Sequence, residues 1–324
     1  MKRLFSLLLV CCLTFTGTTF ASAAFKDVSR DYWAKDEITY LTDKKVINGF
    51  YDNSFRPQAP VTRLQAMILM ARALNLDLSN RPNPGFKDLS TMNSGYKYAA
   101  AIVDEGIFPK SAYLKPNEPM TRELMARMLT SGFKLKSTKK TSFKDVPPSY
   151  WAYPYISALA ENNITLGYPD GTFKPSTTLT RAQFSVFLAK ALNDNFKTFT
   201  FSNEKYHFKL ELPNYMKSQV VFDDGLGINE DKVFSVNFYY NNDTHLGYTP
   251  FAGSIHIIPA SLWKNFFEDA PYYLIKKINN YYYCYQGQSE DPYYEVGKQG
   301  SREAKTYMGI HDRLEYAITH MKIN

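Results

Sequence analysis

Cross-links and metal ligands are scarce in this 324-residue chain, which has three cysteines and five histidines. Cys11 and Cys12 lie in the apolar stretch "LFSLLLVCCL", behind Lys2 and Arg3 and ahead of Ala21-Ser22-Ala23. That is the arrangement of an export leader, so residues 1–23 are expected to be cleaved, leaving a mature chain from Ala24. "LLVC" is a poor lipidation signal, because Val10 stands where a small residue belongs. Cys284 is then alone, which excludes an intramolecular disulfide and leaves stability to packing. His207, His245, His256, His311 and His320 all fall in the last third, and none has the spacing of a metal-binding helix. No G-x-S-x-G elbow is present either. The sequence therefore predicts no metal, no cofactor and no catalytic residues. Beyond the leader no apolar run is long enough to span a bilayer, so no membrane insertion of the mature chain is expected.

Acidic residues are scarce in the first part. Residues 24–199 carry 24 basic against 16 acidic side chains, and residues 200–324 carry 12 against 15. The basic half suits an anionic partner. Export, and the lack of a nucleic-acid-binding motif, point away from nucleic acid and toward anionic wall polymers or a membrane surface.

What the basic half does contain is repetition. "VTRLQAMILMARAL", "MTRELMARMLTSGF" and "LTRAQFSVFLAKAL" place Arg63, Arg122 and Arg181 at intervals of 59 residues. Upstream stand "FKDVSRDYWA", "FKDLSTMNSG" and "FKDVPPSYWA", joined to them by "INGFYDNSFRP", "IFPKSAYLKP" and "TLGYPDGTFKP". Three ordered elements recurring three times are an internal repeat. Each unit reads as helix, Gly/Asn/Asp/Pro-rich loop, helix, and is too small to bury its own apolar face. Ser29 or Asp31 is a candidate cap for the first helix, and Thr62 and Thr180 open the second helices, with Gln183 completing a capping box in the third repeat. The arginine in each first turn opposes the helix dipole, which favours acidic residues there.

These motifs resemble the S-layer homology domain, over residues 25 to about 194. "YWA" at 32–34 and 150–152, "GYPDGTFKP" at 167–175 and "LTRAQF" at 179–184 carry the likeness. The resemblance implies repeats at 25–80, 86–137 and 143–194, forming an all-α, three-pronged pseudo-trimeric bundle. It also implies grooves between prongs that bind pyruvylated secondary cell wall polysaccharide, holding exported proteins to the surface of Gram-positive-type bacteria. Arg63, Arg122 and Arg181 are then candidates to grip a ketal carboxylate, each at an open helix N-terminus. On chemistry alone, each equally well pairs with Asp27, Asp88 or Asp145 and ties prongs together. Trp33 and Trp151 fit either sugar stacking or core packing. Gly49, Gly167, Asp170 and Gly171 mark the ligand loop, the glycines supplying positive φ or close approach. Repeat two lacks both the Tyr-Trp-Ala and the Gly-rich loop, and its capping box fails, so its groove, assigned to Arg122, is expected to be degenerate.

Residues 196–324 read as a separate α+β domain with an antiparallel sheet. "FKTFTFSNEKYHFKLELP" is a strand pair turning at 202–205. Strands follow at 232–240, 253–260 and "NNYYYCYQG", helical stretches at "SLWKNFFEDAPYYLIKKI", and a closing helix with Tyr307, Ile310, Leu314, Ala317 and Ile318 on one face. The opening strands loosely resemble small exported domains of PsbP- or Mog1-like architecture. Cys284 is expected to be buried, and Tyr281–Tyr283 to be a strand. The partner of this domain is not legible. An accessory binding module is the first reading; a wall-acting enzyme and an S-layer subunit are the alternatives.

Overall fold

A computed structural model describes residues 25–323, except 30–31, 139–140, 142, 169, 224–232, 242–245, 247, 267–271, 288–291, 295, 300 and 320. Among the described residues the chain has two parts, six helices followed by a region of eight strands and two helices. Helices α1 (Lys35–Asp43) and α2 (Arg63–Ala73) belong to repeat one, α3 (Tyr96–Asp104) and α4 (Arg122–Gly132) to repeat two, α5 (Tyr153–Glu161) and α6 (Arg181–Leu192) to repeat three. Helix α1 starts at Lys35 behind Ala34 with no side-chain cap. Ser29 is used in a turn, its carbonyl accepting from Tyr32, and Asp31 lies outside the described residues.

The second helix of each repeat packs on the first helix of the next: α2 on α3, α4 on α5, and α6 back on α1. The chain between loop and second helix closes the same circle in hydrogen bonds. The Val61 N–H donates to the Leu179 carbonyl (3.0 Å), Leu179 to Met120 (2.9 Å), and Met120 to Val61 (2.8 Å). No repeat can make this ring alone, which is why the three share one core. Helix α6 is buried on several faces, with Ala182, Phe184, Val186, Leu188 and Ala189 all in that core.

The carboxyl-terminal region is α+β, with two antiparallel sheets instead of one. Strands β1 (Thr198–Asn203), β2 (Phe208–Pro213) and β8 (Lys322–Ile323) form the first, in the order β1-β2-β8. Pro213 ends β2, and a 3-10 turn at Asn214–Ser218 redirects the chain into the second. That sheet has the order β3-β4-β5-β7-β6, from Val220–Asp223, Phe234–Tyr240, Phe251–Pro259, Tyr281–Gln286 and Tyr273–Ile278. "SLWKNFFEDAPYYLIKKI" splits between helix α7 (Ala260–Phe266) and strand β6, so its helical reading fails in the second half. Tyr273 and Ile278 pair there with Tyr285 and Tyr281 of β7, and Lys276 and Lys277 with Tyr283 and Tyr282. Helix α8 (Arg302–Thr319) lies across β2, β5 and β7 and buries Tyr307, Ile310, Leu314, Ala317 and Ile318, the face read from the sequence.

The two parts meet along α1, α6, β2 and α8. Arg313 of α8 bonds Glu37 of α1 at 2.7 Å and also donates to the Trp33 carbonyl. Tyr215 donates to Asp36 (3.2 Å), and Trp33 stacks on Tyr316 with ring centroids 6.4 Å apart.

Candidate functional site

Each loop is built by one aspartate. Asp27 accepts from the backbone N–H groups of Phe55 and Arg56, both at 2.7 Å. Asp88 does the same for Leu114 (2.8 Å) and Lys115 (2.7 Å), and Asp145 for Phe173 (2.8 Å) and Lys174 (2.7 Å). Arg56, Lys115 and Lys174 all have φ of 57–58°, a left-handed backbone that L-residues avoid. Two charge-assisted hydrogen bonds from one carboxylate hold it there. The aspartates are therefore loop clamps. Among the described residues none forms an ion pair with Arg63, Arg122 or Arg181, contrary to one of the two sequence readings, although the charges of Asp27 and Asp145 partly offset the burial of Arg181 and Arg122.

The arginines take the opposite end of the clamped residue. Arg181 Nε donates to the Phe55 carbonyl (2.8 Å), Arg122 Nε to Phe173 (2.7 Å), and Arg63 Nη1 to Leu114 (3.3 Å). Each arginine thus serves the loop of the following repeat, with repeat three serving repeat one. The first-turn N–H groups are not open, contrary to expectation. Those of Arg181 and Ala182 donate to the carbonyls of Ala59 and Pro57, and that of Gln183 to Thr180 Oγ1. The loop carbonyls fill the dipole site, so the guanidinium is what an incoming anion meets.

The three arginines then differ. Arg122 and Arg181 are 5% and 7% exposed and have no ion pair among the described residues. Burial lowers the pKa of both. Arg122 lies against the rings of Tyr168, Phe173 and Phe187, and Arg181 against Phe50 and Phe55. Such rings favour a cation without neutralising it. Arg63 instead pairs with Glu118 at 2.8 Å. Glu118 occupies the position of Ala59 and Thr177 in the other repeats, and Leu114 that of Phe55 and Phe173. The altered loop of repeat two therefore degrades the surroundings of Arg63, and Arg122 faces the intact loop of repeat three. Reading each arginine with its own repeat, as the sequence invites, misses this exchange.

Of the remaining candidates, Trp33 and Gly167 join the groove at Arg122, whereas Trp151, Gly49, Asp170 and Gly171 are not among its lining residues. Trp33 leans on the carboxyl-terminal domain through Tyr316, while Trp151 is 46% exposed beside Tyr150 and Tyr155. Gly167 has φ of 73°, and a Cβ there would meet the Phe143 ring at 2.4 Å. Gly49 lacks positive φ and is required by close approach, a Cβ there meeting the Phe25 ring at 2.2 Å and the Ser54 carbonyl at 2.9 Å. Gly171 has φ of 80°. Asp170 is exposed and accepts from the Thr172 N–H and hydroxyl, which with Lys174 lowers its carboxyl pKa to about 2. Thr121 makes no cap bond, in keeping with the failed capping box, whereas Thr62 and Thr180 complete theirs.

Around Arg122 the groove is lined by Gly167, Tyr168, Gln183, Phe187 and Lys190 from repeat three, Trp33 from repeat one, and Thr198 and Glu211 from β1 and β2. Phe50, Tyr168, Lys190 and the carboxyl-terminal wall were not singled out from the sequence. Phe50 and Tyr168 share a repeat position, occupied in repeat two by Pro109, which was a usable signal. No sequence signal marked the wall.

In the carboxyl-terminal domain, His256 is bonded to Ser235 (2.8 Å), Ser254 (2.7 Å) and Gln286 (2.9 Å), and burial lowers its pKa. Both serines are buried with it. Cys284 is buried and its thiol pKa pushed up to about 12, as its apolar strand neighbours require. Tyr282 stacks on Trp263 and Tyr283 is buried, so 281–283 is a strand with only Tyr281 substantially exposed. His207 occupies a turn with φ of 53°, and His311 faces Asp312; His245 and His320 lie outside the described residues. Among the described residues no group of His, Cys, Asp and Glu could hold a metal, and no helix is long and apolar enough to cross a membrane.

Comparison with known proteins matches the same region. The S-layer homology domain model fits residues 24–67, 85–126 and 142–185. An S-layer protein of Bacillus thuringiensis subsp. finitimus is 31% identical over 176 residues, 52% of this chain and 21% of the relative. An uncharacterized cell wall amidase of Bacillus anthracis is 30% identical over 180 residues, 54% of this chain and 33% of the relative. The exoglucanase XynX of Acetivibrio thermocellus is 30% identical over 185 residues, 53% and 16% respectively. The chain thus spans about a fifth of the S-layer relative, and one kind of amino-terminal half is shared with proteins of different kinds. Residues 24–185 of this chain carry three S-layer homology repeats, the modules that anchor exported proteins non-covalently at the cell surface.

Proposed function

We propose that the repeats hold this chain to an anionic, pyruvylated polysaccharide of a Gram-positive-type cell wall, and that Arg122 and Arg181 are the two carboxylate receptors. The observation that carries this reading is a buried guanidinium fixed through Nε, set against aromatic rings and without an ion pair among the described residues. Burial of these charges is only partly offset by Asp145 beside Arg122 and Asp27 beside Arg181, and a ligand carboxylate held by the Nη fork offsets it further. Arg63 already has Glu118 in that role, so its groove is the silent one. The closed ring at Val61, Met120 and Leu179 supports a three-pronged arrangement in which each groove is shared by neighbouring repeats.

The Arg122 groove is the most complete, having the Gly-rich loop, Gln183 and Trp33. At the corresponding place, Arg181 has Asn93 and Ser94 in place of Tyr-Trp. The test is sedimentation of the full chain with purified walls, before and after removal of the polysaccharide. Arg122→Ala should weaken retention most, by roughly 2–5 kcal/mol of binding, Arg181→Ala less, and Arg63→Ala hardly at all. Arg122→Lys should not restore binding, because the fork is lost. Equal retention of all three alanine variants would refute the assignment. Because Arg122 and Arg181 also brace loop carbonyls, affinity is measured on the folded fraction.

A further inference from the structure

Lys190 lies in the last turn of α6, facing the carboxyl-terminal domain across a cavity of about 430 Å³. That cavity continues from the Arg122 groove, since Trp33, Tyr168, Lys190, Thr198 and Glu211 line both. Its far wall is Lys209 of β2 with Arg313 and Tyr316 of α8. Arg313 is matched by Glu37. Lys190 and Lys209 have no ion pair among the described residues, and Glu211 is the one carboxylate among the lining residues. The cavity therefore has an excess of positive charge, with aromatic side chains of Trp33, Tyr168 and Tyr316 beside it. Cations with aromatic neighbours in a cleft suit a saccharide bearing carboxylates.

We propose that the carboxyl-terminal domain completes an extended site, in which Arg122 receives one carboxylate of an anionic oligosaccharide and Lys190 with Lys209 receives a second, farther along the same strand of sugar. This inference rests on the Arg122 reading and assigns the second domain a part in binding. The domain acts as a wall of the groove and lengthens the segment of polymer that the chain grips.

Two probes separate the inference from the reading beneath it. The first is the methyl glycoside of a hexose carrying one pyruvyl ketal. The second is a trisaccharide with that ketal at its non-reducing end and a uronate at its reducing end. Calorimetry on the full chain should find the trisaccharide bound more tightly, on the order of tenfold, as expected for one further charge-assisted contact. Lys209→Gln should remove that advantage and leave the monosaccharide affinity unchanged, while Arg122→Ala should weaken both. Equal affinity of the wild-type chain for the two probes, or a Lys209→Gln chain that keeps the difference, overturns the extended site and leaves the Arg122 reading standing. Wild-type chain that sediments with walls but binds neither probe overturns both.

Discussion

At the residue scale the informative contrast is between charges that are satisfied and charges that are not. Asp27, Asp88 and Asp145 commit both oxygens to backbone N–H groups, so they are structural although each lies one loop away from an arginine. Asp145→Ala should lose two charge-assisted bonds and the hold on Lys174 at φ of 57°, a cost of roughly 2–4 kcal/mol in denaturant unfolding. A loss below half of that would show the loop to be held by other contacts. Asp52 and Asp170, bonded to Ser54 and Thr172, have carboxyl pKa values lowered to about 2. A depressed folded pKa contributes stability that is present above the unfolded value, about 3.9. It is lost as pH falls through about 2. Carboxyl NMR titration should find both midpoints well below those of an ordinary aspartate.

At the scale of the element, the helix starts differ although all three read Thr-Arg. Thr62 and Thr180 form capping boxes with Gln65 and Gln183, whereas Thr121 has Leu124 at N3 and its hydroxyl is buried without a partner. Thr180→Ala should cost about 1 kcal/mol. Thr121→Ala removes a hydroxyl with nothing to bond and should be neutral or slightly stabilising. Matched losses at both positions, measured as midpoint shifts in denaturant, would contradict this difference. The helix starts alone give the wrong sign for the expected effect of removing an arginine. From the helix dipole alone, taking a positive charge out of the first turn should relieve a small unfavourable interaction. Arg181 Nε, however, holds the Phe55 carbonyl, and leaving that carbonyl without its donor outweighs the relief.

At the scale of the whole molecule, the junction between the two parts is held by buried charge. Glu37 is 1% exposed and is matched by Arg313. Arg313→Ala leaves that carboxylate unpaired and should cost about 3–5 kcal/mol, while the double variant with Glu37→Leu should recover much of it. A single variant as stable as the wild type would mean that the docking is not held by this pair. Lys190 faces Glu37, Arg313 and Glu211, and burial lowers its pKa to about 8. A lysine with a depressed folded pKa costs stability while charged in the folded state. The cost is fully present below pH 8 and is relieved as pH rises toward the unfolded value near 10.4. Wild-type stability should therefore rise over that interval relative to Lys190→Met, as measured by urea unfolding at several pH values.

The repeats, their loops and second helices, the burial of Cys284 and the buried face of α8 were all legible in the residues. Each follows from local spacing: a period of 59, a Gly-rich turn, a 3.6-residue stripe. The sequence also marked the aspartates and arginines, since they recur. Tertiary structure decided what each does. The ring through Val61, Met120 and Leu179 carries every arginine onto the next repeat's loop, so Leu114 and Glu118 alter Arg63 and spare Arg122. Likewise, only the docking of α8 and β2 on α1 and α6 brings Lys190 and Lys209 to one cavity, although 18 residues separate them and neither lies in a motif. Periodicity fixes which face of an element is buried, but the partner on that face is chosen by long-range packing, which leaves no local pattern to read.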